Sequence, residues 1–157
     1  MKKTMSGNMY SVPLDEAWET FAAYLDGARA GVFLVVSKAA VGDGTRAALT
    51  ATARSLDYGD AGATFARIEA EDGAKLDAKA LFSLVEGVDP LVVVAVDGTS
   101  AALLGETYRT DVVLERSGRL FGRPLAAFAD FEACLADQAA KQRAWHVLKS
   151  LPKYTGK

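Results

Sequence analysis

Leu91-Val92-Val93-Val94-Ala95-Val96-Asp97-Gly98-Thr99-Ser100 is the stretch that decides the fold of this chain. β-branched residues crowd a helix and suit a pleated strand. A run that is apolar at every position, rather than at every second one, belongs to a strand covered on both faces, as in a parallel sheet. The polar Asp97 to Ser100 ends the run, and the alanine- and leucine-rich Ala101 to Leu104 then opens a short helix. Val32-Phe33-Leu34-Val35-Val36 has the same character earlier in the chain. The expectation is that these two segments lie side by side, parallel, in the interior.

Working outward, helical and extended patterns alternate. Leu14, Trp18, Phe21, Ala22 and Leu25 share one helical face, with Pro13 suited to the first turn. A second helix is expected over Thr45 to Leu56, stopped at Tyr58-Gly59, and a second strand over Ala63 to Ile68. Asp77 is placed to cap a third helix, with Leu76 and Leu81 as a hydrophobic staple and Gly87 and Pro90 at its end. Ser117-Gly118 reads as the turn of a hairpin or loop excursion over 111–121. Pro124 to Phe128 reads as a last strand. Asp130 then caps one long helix bearing Phe131, Cys134, Leu135, Trp145 and Leu148, ending before Pro152. Strands joined by helices need crossovers. The fold class expected is therefore α/β, three layers, around a small, mainly parallel four-stranded sheet. All 157 residues form one domain, with 1–10 and 153–157 as flexible ends.

Half of the residues are hydrophobic and 24% are charged, so an ordinary globular core is within reach. The single cysteine, Cys134, makes neither an internal disulfide nor a cysteine-based metal centre, and a reducing compartment fits. Lys2 and Lys3 are followed by no apolar stretch, and no run approaches the ~20 residues of a membrane helix. The expectation is a soluble, cytoplasmic protein with no membrane partner. Charge is uneven: residues 1–108 hold nine Lys and Arg against fifteen Asp and Glu, whereas 109–157 hold nine against five. A basic end can serve nucleic acid, or simply favour a helix C-terminus.

In an open parallel sheet, ligands bind beyond the carboxyl ends of the strands, where strand order reverses. That rule selects Ser37, Lys38, Gly42, Gly44 and Thr45 after the first strand, and Asp97, Thr99 and Ser100 after the third. Both loops lead into helix N-termini, whose free N–H groups attract polar ligands. Gly42-Asp43-Gly44-Thr45-Arg46-Ala47 matches the G-x-G-x-x-A of dinucleotide sites, with Glu69 as the acid that would hold a ribose. Against it, Ser37 to Val41 separate the strand from the first glycine, and Asp43 stands where a pyrophosphate would lie. Asp97, Thr99 and Ser100 also read as a helix cap. His146 has no carboxylate or second ligand at metal spacing. Cys134 reads as an inert thiol, and Trp18, Phe21, Phe82, Phe131 and Trp145 as core aromatics. The residues identify no catalytic set, no metal site and no cofactor.

Val32 to Val36, the Ala53-Arg54-Ser55-Leu56-Asp57-Tyr58-Gly59 segment, Asp89 to Gly105 and Lys141 to Leu151 together resemble the uracil-DNA glycosylase superfamily. The third-strand segment is similar to that family's P-x-V-I-V-A-L-G-x-T-A-A-x-A-L-L-G. The resemblance implies a shared fold over roughly residues 30–151. It does not carry the family's working residues. Ser37-Lys38-Ala39-Ala40-Val41-Gly42 stands in place of G-E-x-P-G, and Ala129-Asp130-Phe131 in place of the histidine motif. A lost or altered activity is what the resemblance implies.

Three functions follow as expectations. The first is a non-catalytic binding protein for a small polar ligand or a protein partner. The second is a divergent nucleic-acid-binding or glycosylase-like protein, and the third a nucleotide-binding enzyme using the Gly42–Ala47 turn.

Overall fold

A computed structural model describes residues 11–154. Along the chain run α1 (Ser11–Thr20), β1 (Leu25–Gly27), β2 (Phe33–Ser37), α2 (Asp43–Ser55), β3 (Thr64–Arg67) and α3 (Ala78–Val88). Then come β4 (Val92–Ala95), α4 (Gly98–Tyr108), β5 (Arg116–Leu120), β6 (Arg123–Ala127), α5 (Phe131–Leu135) and α6 (Gln138–Lys149). One sheet holds all six strands in the order β1-β3-β2-β4-β6-β5.

The two valine-rich segments are neighbours and parallel, with Phe33 opposite Val92 and Val36 opposite Ala95. The strands they form, β2 and β4, are buried throughout, with their apolar side chains shared between two cores. Leu34, Val36, Val93 and Ala95 meet α1, α3 and α4 on one side. Phe33, Val35, Val92 and Val94 meet α2, α5 and α6 on the other. The three-layer α/β expectation is met, and β3, β2, β4 and β6 are its parallel centre.

The sheet is nonetheless mixed and six-stranded rather than four-stranded. The first helix ends at Thr20, so Leu25, expected on its face, lies instead in β1, where Leu25 to Gly27 pair antiparallel with β3. At the other edge β5 pairs antiparallel with β6, so the hairpin spans 116–127 instead of 111–121. Its turn is Phe121-Gly122, both with positive φ (51° and 87°), the geometry of a two-residue turn that matches strand twist. Ser117 and Gly118 lie inside β5.

The long last helix is two. Asp137 accepts the N–H of Ala140 at 2.9 Å and starts α6 as Asp130 starts α5, so a second cap interrupts the expected continuity. The third helix is capped by Asp77 as expected, but it runs past Gly87 and ends at Asp89, which takes the left-handed conformation before Pro90. α4 extends to Tyr108, a turn beyond the short helix foreseen. Phe131 is buried, but Phe82 and Trp145 are about 40% exposed, which corrects their reading as core residues.

The assignment of 1–10 as a flexible end lies outside the described residues. Near the other end, Tyr154 stacks on Tyr58 and donates its N–H to Leu56 O at 2.8 Å. Among the described residues no helix is long and apolar enough to cross a membrane.

Candidate functional site

Strand order reverses between β2 and β4. The chain leaves β2 toward α2 and β3 on one side, and leaves β4 toward α4 and β6 on the other. A cleft of about 270 Å³ opens there, beyond the carboxyl ends of these strands. It is lined by Ser37 to Val41 after β2, Thr45 on α2, Val96 and Asp97 after β4, and Asp130 and Glu132 at the start of α5.

Backbone hydrogen bonds hold the loops together. Glu69 N–H donates to Lys38 O at 2.8 Å, Gly98 N–H to Ala129 O at 3.0 Å, and Phe131 N–H to Val96 O at 2.9 Å. Asp97 is the knot. One carboxylate oxygen accepts Ser100 N–H, capping α4, and the other accepts Lys38 N–H, each at 2.8 Å. Such bonds to an ionised acceptor are about twice as strong as neutral ones. The Ser100 hydroxyl, fully buried behind this cap, donates to Asp97 O at 3.1 Å. The Ser37 hydroxyl donates to Ala39 O at 2.6 Å.

The start of α2 is built differently. Its cap residue is Gly42, so no side chain receives the first N–H groups. A Cβ at Gly42 would lie 3.1 Å from Glu132 Oε1, the far end of an exposed side chain that can give way. Arg46 turns away from the cleft, pairing with Asp26 and covering the Phe65 ring at 4.4 Å. Thr45 is 2% exposed and its Oγ1 is buried without any hydrogen-bond partner, alone in this respect among the described side chains.

Four of the eight sequence-selected residues line the cleft: Ser37, Lys38, Thr45 and Asp97. Ser100 supports Asp97 from behind. Gly42 and Gly44 lie against Glu132 and Leu135, and Thr99 is exposed on α4; none of these three belongs to the lining. Sequence reasoning missed Asp130 and Glu132, which enter because β6 is the neighbour of β4 and delivers its following helix to the same end. The strand-end rule would have named them had the order of strands been known.

The dinucleotide pattern is laid out as its spacing foretold. β2 ends at Ser37, well before Gly42, and Glu69 reaches Lys75 at 3.8 Å without joining the cleft lining. Cys134 and His146 lie outside the cleft as well. Burial raises the Cys134 thiol above its ordinary pKa, Glu115 and Asp130 add to the effect and Arg143 opposes it, so the reactive thiolate is disfavoured. His146 is exposed on α6. No group of three or more His, Cys, Asp or Glu among the described residues could hold a metal ion. No protein-family model matches the sequence, and no curated protein matches it significantly.

Proposed function

We propose that this chain is a binding domain for a small polar molecule, held at the carboxyl ends of β2, β4 and β6. The observation that carries the reading is the cleft at the point where strand order reverses, walled in part by Thr45, whose buried Oγ1 has no hydrogen-bond partner. Leaving such a group unmet costs about 1–3 kcal/mol. The hydroxyl stands in the first turn of α2, where Gly42 leaves backbone N–H groups pointing outward.

Binding without turnover is the form supported. Both oxygens of Asp97, the obvious base, already accept backbone N–H groups, and the Ser37 hydroxyl gives its proton to Ala39 O. No histidine or cysteine lines the cleft to activate a nucleophile.

The test is a ¹H–¹⁵N NMR titration of the full chain with small amino acids, carboxylates, amines, sugars and nucleosides. At least one class should shift amides within residues 38–45, 97–100 and 130–132. If none does, the reading fails. Turnover of a bound molecule that disappears in Asp97→Ala would make the domain an enzyme.

A second reading, a nucleic-acid protein related to the glycosylases, is favoured by α6. Lys141, Arg143 and Lys149 are exposed there and make no ion pair among the described residues. Binding to single- or double-stranded DNA would then weaken steeply with salt. Undetectable or salt-insensitive binding rejects it.

A further inference from the structure

Apart from the cleft at the strand ends, we infer that a groove between α2 and α6 takes a small apolar carboxylate, an alkyl or aryl acid. Both helices pack on α5, and the groove between them has a volume of about 370 Å³. Each helix turns a stripe of i, i+3, i+4 and i+7 residues into it, about 10 Å long. From α2 come Ala48, Ala51, Thr52 and Ser55, all small, which leaves the space open. From α6 come Lys141, Ala144, Trp145 and Leu148, while α5 adds Phe131 and Leu135.

Size and lining are those of a small-molecule pocket, mostly apolar with one charged group. A protein partner would need about 800 Å² of surface. Of the large apolar residues that stand exposed, only Trp145 lines the groove; Phe82, Leu91, Val113, Leu114 and Phe121 lie on other elements. There is no apolar surround to seat a protein.

Lys141 sets the sign of the occupant. It is exposed and makes no ion pair among the described residues. No acid lines the groove, and α6 has none from Gln138 to Lys149, where Arg143 and Lys149 add positive charge. Asp137, four residues before Lys141, caps α6 through the Ala140 N–H instead of pairing with the lysine. The Thr52 hydroxyl is spent on Ala48 O at 2.8 Å. An occupant therefore meets one charged group, an ammonium, and a carboxylate is its complement. Lys141 and Trp145 stand one helical turn apart, so an acid can set its head on the first and its hydrocarbon against the second.

The experiment uses the two indole signals of the ¹⁵N-labelled full chain. Trp18 is the internal control: its Nε1–H donates to Arg29 O at 2.9 Å, and its ring packs against the other core. Octanoate and naphthylacetate are titrated at pH 7 beside their neutral amides. At least one acid should shift the Trp145 indole and the Ala48, Ala51 and Ala144 amides to saturation and leave the Trp18 indole still. Its amide should bind at least about threefold more weakly, the scale of an exposed charge pair. Lys141→Gln should weaken the acid by that factor and leave the amide unchanged. Ala51→Leu, at an exposed helix position that leucine suits, fills the groove and should abolish the Trp145 response to both. The inference is overturned if no acid moves the Trp145 indole, if the amide matches its acid, if Lys141→Gln leaves the acid's affinity unchanged, or if the response survives Ala51→Leu. The strand-end cleft is read by other amides, so the two sites stand or fall separately.

Discussion

The two ends of the parallel strands are finished in opposite ways. At the amino ends of β4 and β6, the polar groups satisfy one another. Arg123, 15% exposed, donates to Glu86 Oε2 and Asp89 Oδ1 at 2.7 Å each and to Pro90 O at 2.8 Å. The Tyr108 hydroxyl donates to the same Glu86 oxygen at 2.6 Å. At the carboxyl ends, the Asp97 knot is just as complete, but beside it Thr45 Oγ1 and the first turn of α2 have no partner and Glu132 makes no ion pair. One end is closed by its own side chains; the other is closed everywhere except at one helix start. A fold that can satisfy a buried tyrosine and a half-buried arginine at one end, and leaves a buried threonine unmet at the other, directs attention to what the threonine would meet.

Breaking the closed end should cost most. Arg123→Met leaves Glu86, Asp89 and Pro90 O without their shared donor. A loss of about 3 kcal/mol by urea unfolding is expected, at the low end for a broken buried pair because the acids are partly exposed. The same variant should lose an acid dependence. Burial by itself raises the Glu86 pKa, but the Arg123 and Tyr108 hydrogen bonds and the Arg123 charge outweigh it and hold the carboxyl below its ordinary value. A depressed pKa contributes stability that is complete above the unfolded carboxylate value and disappears as pH falls through the folded one. The wild type should therefore weaken in that window by at most about 1 kcal/mol, since water screens a side chain 37% exposed, and Arg123→Met should not.

Asp97→Ala comes next, at about 2 kcal/mol, from the lost α4 cap and the freed Lys38 N–H. The loss should be accompanied by broadened amide signals on both loops, because one carboxylate holds them together. Gly42→Ala should matter least, about 0.5 kcal/mol or less. Its φ of −73° suits any residue, and the Cβ meets only the far end of the Glu132 side chain. A large loss there would mean that Glu132 is fixed in place rather than free to receive a ligand.

Much of this contrast could be read from the chain before its structure, but unevenly. The β2–β4 pair was legible because Val32 to Val36 and Leu91 to Val96 are apolar at every position, and only a doubly covered strand uses such a run. Both loops at the strand ends followed from it, and with them Ser37, Lys38, Thr45 and Asp97. β1 was not legible: Leu-Asp-Gly has no strand character of its own and is extended because β3 offers it an edge. The break between α5 and α6 turns on Asp137, whose helix-interior and cap readings differ only in where the chain must bend. Glu132 was hidden for another reason. It reaches the cleft through the order of strands, a long-range fact that local pattern does not carry.

The most direct measurement is the stability of Thr45→Val in the absence of any added molecule. Valine keeps the shape and removes the hydroxyl. If that hydroxyl is unmet in the free protein, the variant is more stable than the wild type, by about 1 kcal/mol in urea unfolding. A variant less stable by a similar amount would show that a partner within the protein already holds the hydroxyl, and that the open end of the strands is as closed as the other.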